Sequence, residues 1–258
     1  MLEQITPLIL TLNEAPNIRR TLEQLSWAKD IVVVDSASTD ATLAILSEFA
    51  TVRAFQHAYV THAEKWSFGL SQTQIGTEWV LALDADYILS DQLVHEMDAL
   101  RPEPDVAGYR VNITYCVEGK PLRGSVYPPV VALYRRSAAR YVQDGHTQRV
   151  QLDGRVEGLS GRIFHDDRKP LGDWFAAQAR NMRLESEKLV ATPFAELSMA
   201  DWVRRMIILA PAAMLFLCLF VRGNILDGRA GIFYAMQRAT AEMILSLYLL
   251  QKLLRLSA

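Results

Sequence analysis

Residues 79–89 read WVLALDADYIL. An apolar run this compact suits a strand buried on both faces. Alternation along an extended backbone sends Asp84 and Asp86 the same way from its end. Two carboxylates placed together invite a divalent cation, because hard cations such as Mg²⁺ take oxygen ligands, commonly one or two carboxylates with phosphate and water completing the shell. Asp-x-Asp is a frequent pattern by itself. Its position at the end of a buried run gives it weight here and points to a metal-bridged nucleoside diphosphate.

Working upstream, three more short apolar runs, 5–12, 31–35 and 52–56, alternate with segments of helical period. That rhythm predicts βαβ units and an α/β domain with a mainly parallel central sheet flanked by helices. Pro16 stands where a first helical turn tolerates proline, Thr39 and Asp40 offer a cap for a helix through Phe49, and Ser90 and Asp91 offer one for a helix to Leu100. In such sheets ligands bind beyond the carboxyl ends of the strands. The polar residues ending the runs are therefore the first candidates: Thr11-Leu12-Asn13-Glu14, then Asp35 through Asp40, then Asp84 and Asp86. Asp35, directly after IVVV, is placed to accept hydrogen bonds from a base or ribose. Asp40 reads as a helix cap.

Downstream, 106–117 and 130–136 are β-rich, and 173–190 has helical period with a break at Pro193. VQDGHTQRV places Asp144 and His146 beside a glycine, either of them a candidate base. GRIFHDDRKPL packs His165, Asp166, Asp167, Arg168 and Lys169 together. A neutral imidazole there completes a metal shell, and the cations offset charge developing on a diphosphate leaving group. A charged loop with internal salt bridges is the competing reading of that stretch. His57, His62 and His95 have no such company and read as surface residues.

The C-terminal part differs. Residues 206–221 hold sixteen residues without a charge, flanked by Arg204, Arg205 and Arg222. This is short of the roughly 20 residues of a spanning helix and contains Pro211. A second helix, 231–256, carries Arg238, Glu242, Lys252 and Arg255 among Met236, Met243, Leu247, Leu250 and Leu254 at roughly helical spacing. Residues 201–258 hold seven Arg and Lys against three Asp and Glu, whereas residues 1–200 hold 20 against 26. The expectation is a catalytic domain over 1–195 and an apolar, amphipathic helical tail over 196–258 that lies on a membrane or, alternatively, pairs subunits into a homo-oligomer. Nucleic acid is excluded as a partner, because the basic residues sit among apolar runs and not on a polar aromatic-studded stripe. Two cysteines without paired spacing give neither a disulfide framework nor a zinc site, and the first twelve residues lack the form of a signal peptide. A reducing, cytosolic setting follows.

TLNE, VVVDSASTD and LALDAD, in this order and with these gaps, resemble the family 2 inverting glycosyltransferases of the GT-A fold over roughly residues 1–170. The length and the C-terminal apolar helices are similar to the bacterial lipopolysaccharide-core β-glucosyltransferase branch. The resemblance implies a nucleotide-sugar donor, UDP-linked, and a divalent Mg or Mn ion. It implies that Leu12, Asn13 and Glu14 line the base pocket, that Asp35 contacts the uracil or ribose, that Lys65 helps bind the donor, that Asp84 faces the ribose or metal, and that Asp86 coordinates the metal with His165 as a further ligand. Arg168 then meets the diphosphate. Related enzymes carry a Glu-Asp or His-Glu pair at the base position; this sequence has neither, so Asp144 is taken as the base with His146 as its alternative. The acceptor expected from the tail is a lipid or lipid-linked glycan, met by a peripheral enzyme on the cytoplasmic face of the bacterial inner membrane.

Two other readings compete. Haloacid-dehalogenase-type phosphatases also place Asp-x-Asp after an apolar strand, but usually carry Thr or Val where this chain has Ile88, and their first Asp belongs to an early strand. A non-catalytic membrane scaffold would not need carboxylates at all three strand ends.

Overall fold

A computed structural model describes residues 1–58, 61–144 and 147–254, with only the backbone of Thr147. The described residues form two compact units. The first comprises Met1–Gly119, Tyr127–Gln143 and Thr147–Lys169, and the second Lys120–Val126, Asp144 and the chain from Pro170 onward. The helix after Pro170 thus belongs with the C-terminal helices, so the division falls at 169/170 where 195/196 was expected.

In the first unit, β1 (Ile5–Thr11), β2 (Ile31–Asp35), β3 (Val52–Gln56) and β4 (Trp79–Asp84) pair in parallel. Between them run α1 (Ile18–Glu23), α2 (Thr42–Ser47) and α3 (His62–Gln72). Every residue of β1 and β2 is buried, as their unbroken apolar runs require of central strands. Pro7 has no N–H to give, and it stands one residue before pairing with β2 begins at Leu8. Period two divides the side chains cleanly. Ile5, Ile9, Val33, Leu81 and Leu83 join α1 in one core, and Leu8, Leu10, Val32, Val34 and Val80 join Trp66 and Leu70 of α3 in the other.

Beyond β4 the chain forms β5 (Tyr87–Leu89), α4 (Asp91–Ala99), the long β6 (Val106–Val117), a two-residue β7 (Lys120–Pro121), β8 (Val130–Arg135), β9 (Ala139–Asp144), β10 (Thr147–Leu152) and β11 (Arg155–His165). The strand order is β3-β2-β1-β4-β8-β6-β11-β5, with β9 and β10 as a separate two-stranded sheet. The expected parallel sheet is therefore the first half of a mixed one: β8 runs antiparallel to β4 and β6, and β5 antiparallel to β11. Ser90 caps α4, accepting from Leu93 N, and also accepts from Arg162 N at 3.0 Å. That double use draws α4 against β11.

The second unit holds α5 (Leu171–Ala191), α6 (Met199–Arg205), α7 (Leu209–Phe216), a π-helical turn over Leu217–Val221 and α8 (Arg229–Leu253). Met182 and Leu189 pack with Ala241, Leu245 and Leu249. Glu242, read from sequence as an interfacial charge, is instead buried and held by Arg204 at 2.9 Å, and Glu185 lies 3.5 Å from the same guanidinium. No described helix is long and apolar enough to cross a membrane.

Close packing of α4 on β11 leaves no room at Gly161: an added Cβ falls 2.4 Å from Leu93 Cα, whereas at Gly158 on the same strand it meets nothing within 4 Å. Gly161→Ala is expected to destabilise the fold by about 1–3 kcal/mol in urea unfolding, and Gly158→Ala by less than about 0.5 kcal/mol. Equal effects would show that β11 and α4 do not approach as described.

Candidate active site

Register brings the strand ends level. Leu10 pairs with Asp84 and Thr11 with Asp35, so the carboxyl ends of β1, β2 and β4 form one edge. The loops leaving it are stitched together. Asn13, in the left-handed region at φ 53°, donates its N–H to Ser38 Oγ and accepts from Thr39 N, each at 2.8 Å. Glu14 N donates to Thr42 Oγ1, and Ala15 N to Asp40 Oδ2. Asp40, beside the N-cap Ala41, also accepts from Thr42 N. Ala37 is left-handed too, at φ 59°, a conformation a residue with a Cβ keeps only when its surroundings impose it. Leu12 stays exposed at the rim.

Asp35 departs from its expected role. It is fully buried, and its carboxylate accepts from Thr11 Oγ1 at 2.7 Å and from Ser38 N at 2.8 Å and Ser38 Oγ. In this arrangement it fastens the β2 loop to β1 and is not presented to a base. Lys65, one turn into α3, is buried and donates Nζ to the Thr11 carbonyl at 2.7 Å. Burial pulls its ammonium down to about 8, against the attraction of Asp35, Glu14 and Asp84.

At the acidic end, antiparallel pairing of β5 with β11 sets His165 opposite Tyr87. His165 Nε2 thereby lies 3.0 Å from Asp86 Oδ2, and Tyr87, Tyr115 and Tyr127 surround the imidazole with ring centroids 4.9–5.4 Å away. Burial works against an imidazolium here, but Asp86, Tyr127 and Asp84 together outweigh it and raise His165 to about 10. Burial likewise opposes ionised Asp86, which His165 nonetheless holds below its ordinary range. Asp84 opens to solvent inside a cleft walled by protein. Desolvation and the neighbouring Asp86 push it up to about 6, although Tyr87 donates to it. Glu14 is raised to about 7 by burial and Asp86, with Lys169 and Asn17 opposing through direct hydrogen bonds.

Two buried atoms in this cluster have no hydrogen-bond partner, Asp86 Oδ1 and His165 Nδ1. An unpaired carboxylate oxygen is a donor a divalent cation takes, and the imidazole becomes one when a bound cation displaces its proton, so the residue types fit one. Among the described residues, no three His, Cys, Asp or Glu side chains form a ready-made cage. Such a site draws its remaining ligands from phosphate and water, as Mg²⁺ sites do.

The segment after β11 is fixed by a residue that sequence reading passed over. Asn17 is fully buried and uses its whole amide: Nδ2 donates to Glu14 Oε2 and Asp167 Oδ1, and Oδ1 accepts from Arg168 N and Arg20 Nη2. Arg20 also pairs with Asp166 at 2.7 Å. Arg168, expected on the diphosphate, is instead engaged by Asp166 and Glu118. The cation of this segment that turns toward the carboxylates is Lys169, which pairs with Glu14 and is attracted by Asp86. The density of charge in HDDRK was visible in sequence, but nothing local showed which cation faces inward. Asp144 ends β9 and pairs with Lys188 of α5 at 2.7 Å. His146 lies outside the described residues.

From Asp84 and Tyr87 a cleft of about 530 Å³ extends along the sheet between Trp66, Tyr141 and Pro129, with Arg110 and Arg149 among its lining residues.

The family model described as Glycosyl transferase family 2 matches residues 8–149. An uncharacterized glycosyltransferase of Rickettsia bellii is 32% identical over 97 residues, covering 37% of this chain and 32% of the relative. A lipopolysaccharide core biosynthesis glycosyltransferase of Rhizobium meliloti is 28% identical over 113 residues, covering 42% of this chain and 41% of the relative. The chain thus matches less than half the length of either relative. Among solved structures, S. aureus TarS 1-349 in complex with UDP-GlcNAc shares the fold, with a TM-score of 0.50 at 14% identity over 98% of this chain and 92% of that one.

Lys65 makes a titration test of the site. Because its folded value is about 8 against an ordinary 10.5, the unfolded chain binds more protons between those values, and stability rises with pH across that window. Below about 8 the cost of burying the ammonium is carried in full. Urea midpoints of the wild type should therefore gain on those of Lys65→Met as pH rises from about 7.5 to 10; parallel curves would place Lys65 in solvent.

Proposed function

The chain belongs to glycosyltransferase family 2, and from that premise we propose that it transfers a sugar from a UDP-linked donor, with inversion and with a bound Mg or Mn ion, to a lipid or lipid-linked glycan. The observation that carries this reading is the meeting of Asp84, Asp86 and His165 at the ends of β4 and β11, with one unpaired buried donor atom on each of Asp86 and His165. Leu12, Asn13 and Glu14 form the nucleoside side, with Lys65 fixing the strand end behind them. Asp86 and His165 would hold the metal, with Asp84 the neighbouring carboxylate. When bound, that ion offsets the negative charge of the diphosphate.

The protein's own groups do the rest. Lys169 adds a cation beside the carboxylates. Asp144, held by Lys188, takes the proton of the acceptor hydroxyl as its oxygen bonds to the anomeric carbon and the bond to the diphosphate breaks. Such a base is worth roughly 10²- to 10⁴-fold in rate. One backside displacement inverts the anomeric configuration.

The second unit supports the acceptor class. Ile208, Phe216, Phe220, Val221 and Leu226 are exposed around α7 and the turns that follow it, with Arg205 and Arg222 nearby in the chain. Apolar surface rimmed by cations suits the headgroup region of a bilayer. This reading places the enzyme on the cytoplasmic face, lying in the membrane surface without crossing it.

Calorimetry should find UDP binding that needs Mn²⁺ in the wild type and is lost in Asp86→Ala; UDP binding unaffected by both metal and substitution would overturn the metal-held donor. In flotation, vesicles containing anionic lipid should carry the protein, and Phe216→Ser with Leu226→Ser should release most of it. A wild type that stays behind in the aqueous fraction would contradict the membrane assignment.

A further inference from the structure

Helix α8 turns its polar residues inward. Arg238 lies over the ring of the fully buried Tyr234, Glu242 is buried against Arg204, and Ser246 donates to the Ile207 carbonyl. Its outward face is the apolar one: between Ile232 and Leu250 every exposed residue of the helix is hydrophobic. Phe233, Met236, Met243, Leu247, Leu250 and the C-cap Leu254 are 38–65% exposed. Together with the half-buried Thr240 they recur in alternating steps of three and four residues, which makes a seam about 32 Å long. Side chains at that spacing form the row along which two helices interlock, each knob entering the gaps of the facing row.

The size of this face calls for a cover. At these exposures, and with Ile232 and Leu253 on its flanks, it amounts to roughly 800 Å², against roughly 300–600 Å² for the largest apolar patch of a typical monomer. Each partner in a standard protein–protein interface contributes about 800 Å². One helix face of this chain therefore supplies the area that a stable dimer needs.

Charge says what the cover is. A helix lying in a bilayer surface keeps a cation-rich polar face in water. In α8 the polar face is instead committed to the interior of the second unit, and no exposed cation stands along the seam from Ile232 to Leu250. The apolar surface around α7 differs in having Arg205 and Arg222 close by in the chain. An uncharged seam meets no like-charge repulsion when its own copy is laid against it about a twofold axis, and an isologous contact requires only that the surface complement itself. We propose that α8 is the contact of a homodimer, in which a second copy of this chain lays the same seam against it.

The test is sedimentation velocity on the whole chain without detergent, at concentrations up to about 100 μM. The wild type should sediment as a dimer. Met243→Glu combined with Leu247→Glu should sediment as a monomer with unchanged far-ultraviolet circular dichroism, since both side chains are exposed and take no part in the chain's own core. Should that variant lose its fold, Leu247→Ala with Leu254→Ala is the milder probe and should weaken the dimer about tenfold or more. A wild type that stays monomeric throughout overturns the proposal, and so does a dimer that folded seam variants leave intact. Flotation with vesicles of phosphatidylcholine and phosphatidylglycerol supplies the remaining arm. A monomeric wild type that floats, and a Met243→Glu, Leu247→Glu chain that does not, would give the seam to lipid and contradict the dimer.

Discussion

Asp84 and Asp86 stand at one strand end, and like charges this close in partly buried surroundings are tolerated only with a counter-charge beside them. His165 supplies it, 3.0 Å from Asp86, and much of the first unit's second half serves to bring it there. β5 turns back directly after Asp86 so that its three residues pair with the last three of β11. α4 is drawn against β11 through Ser90 and the glycine at 161, which fixes where β11 ends. Three tyrosines then pack around the imidazole. The remaining electrostatics follow from the same crowding. Glu14 rises toward neutrality because it is buried and because Asp86 is close, and Lys169 is held in the cluster by Glu14.

The frame of the site was legible in the sequence because it depends on local pattern. Four apolar runs became β1 to β4 within a residue of their expected bounds, since a strand buried on both faces has to be continuously apolar. The cap at Ser90 was equally local, and Asp40, read as a cap, does accept from Thr42 N although the N-cap position itself is Ala41. The partners of charged side chains were not. Asn17 bridges to Asp167 and Arg168 across 150 and 151 residues, and Arg20 reaches Asp166 across 146. No spacing rule links them. For the same reason Asp35 and Arg168 looked available to a ligand, while the fold commits Asp35 to Thr11 and Ser38 and Arg168 to Asp166 and Glu118.

The second unit shows the same limit from the other side. Glu242 and Arg204 read as flanking charges of apolar helices, yet they meet in its interior, and Ser246 one turn later donates to the Ile207 carbonyl. Burying charge in this way is tolerated because each carboxylate finds the guanidinium, and it leaves the outer apolar residues without a polar counterpart. Sequence pattern identified these helices as greasy and basic. Only the packing separates the residues that form their core from those that remain outside.

The central claim is that the donor is held through a cation at Asp86 and His165. Diffraction from crystals grown with UDP and Mn²⁺, recorded at the manganese absorption edge, tests it most directly. The account predicts an anomalous peak in direct coordination with Asp86 and His165, bridged to the diphosphate, with the uracil over the Leu12–Glu14 loop. Manganese bound elsewhere, or a nucleotide seated with no metal between it and Asp86, would contradict it.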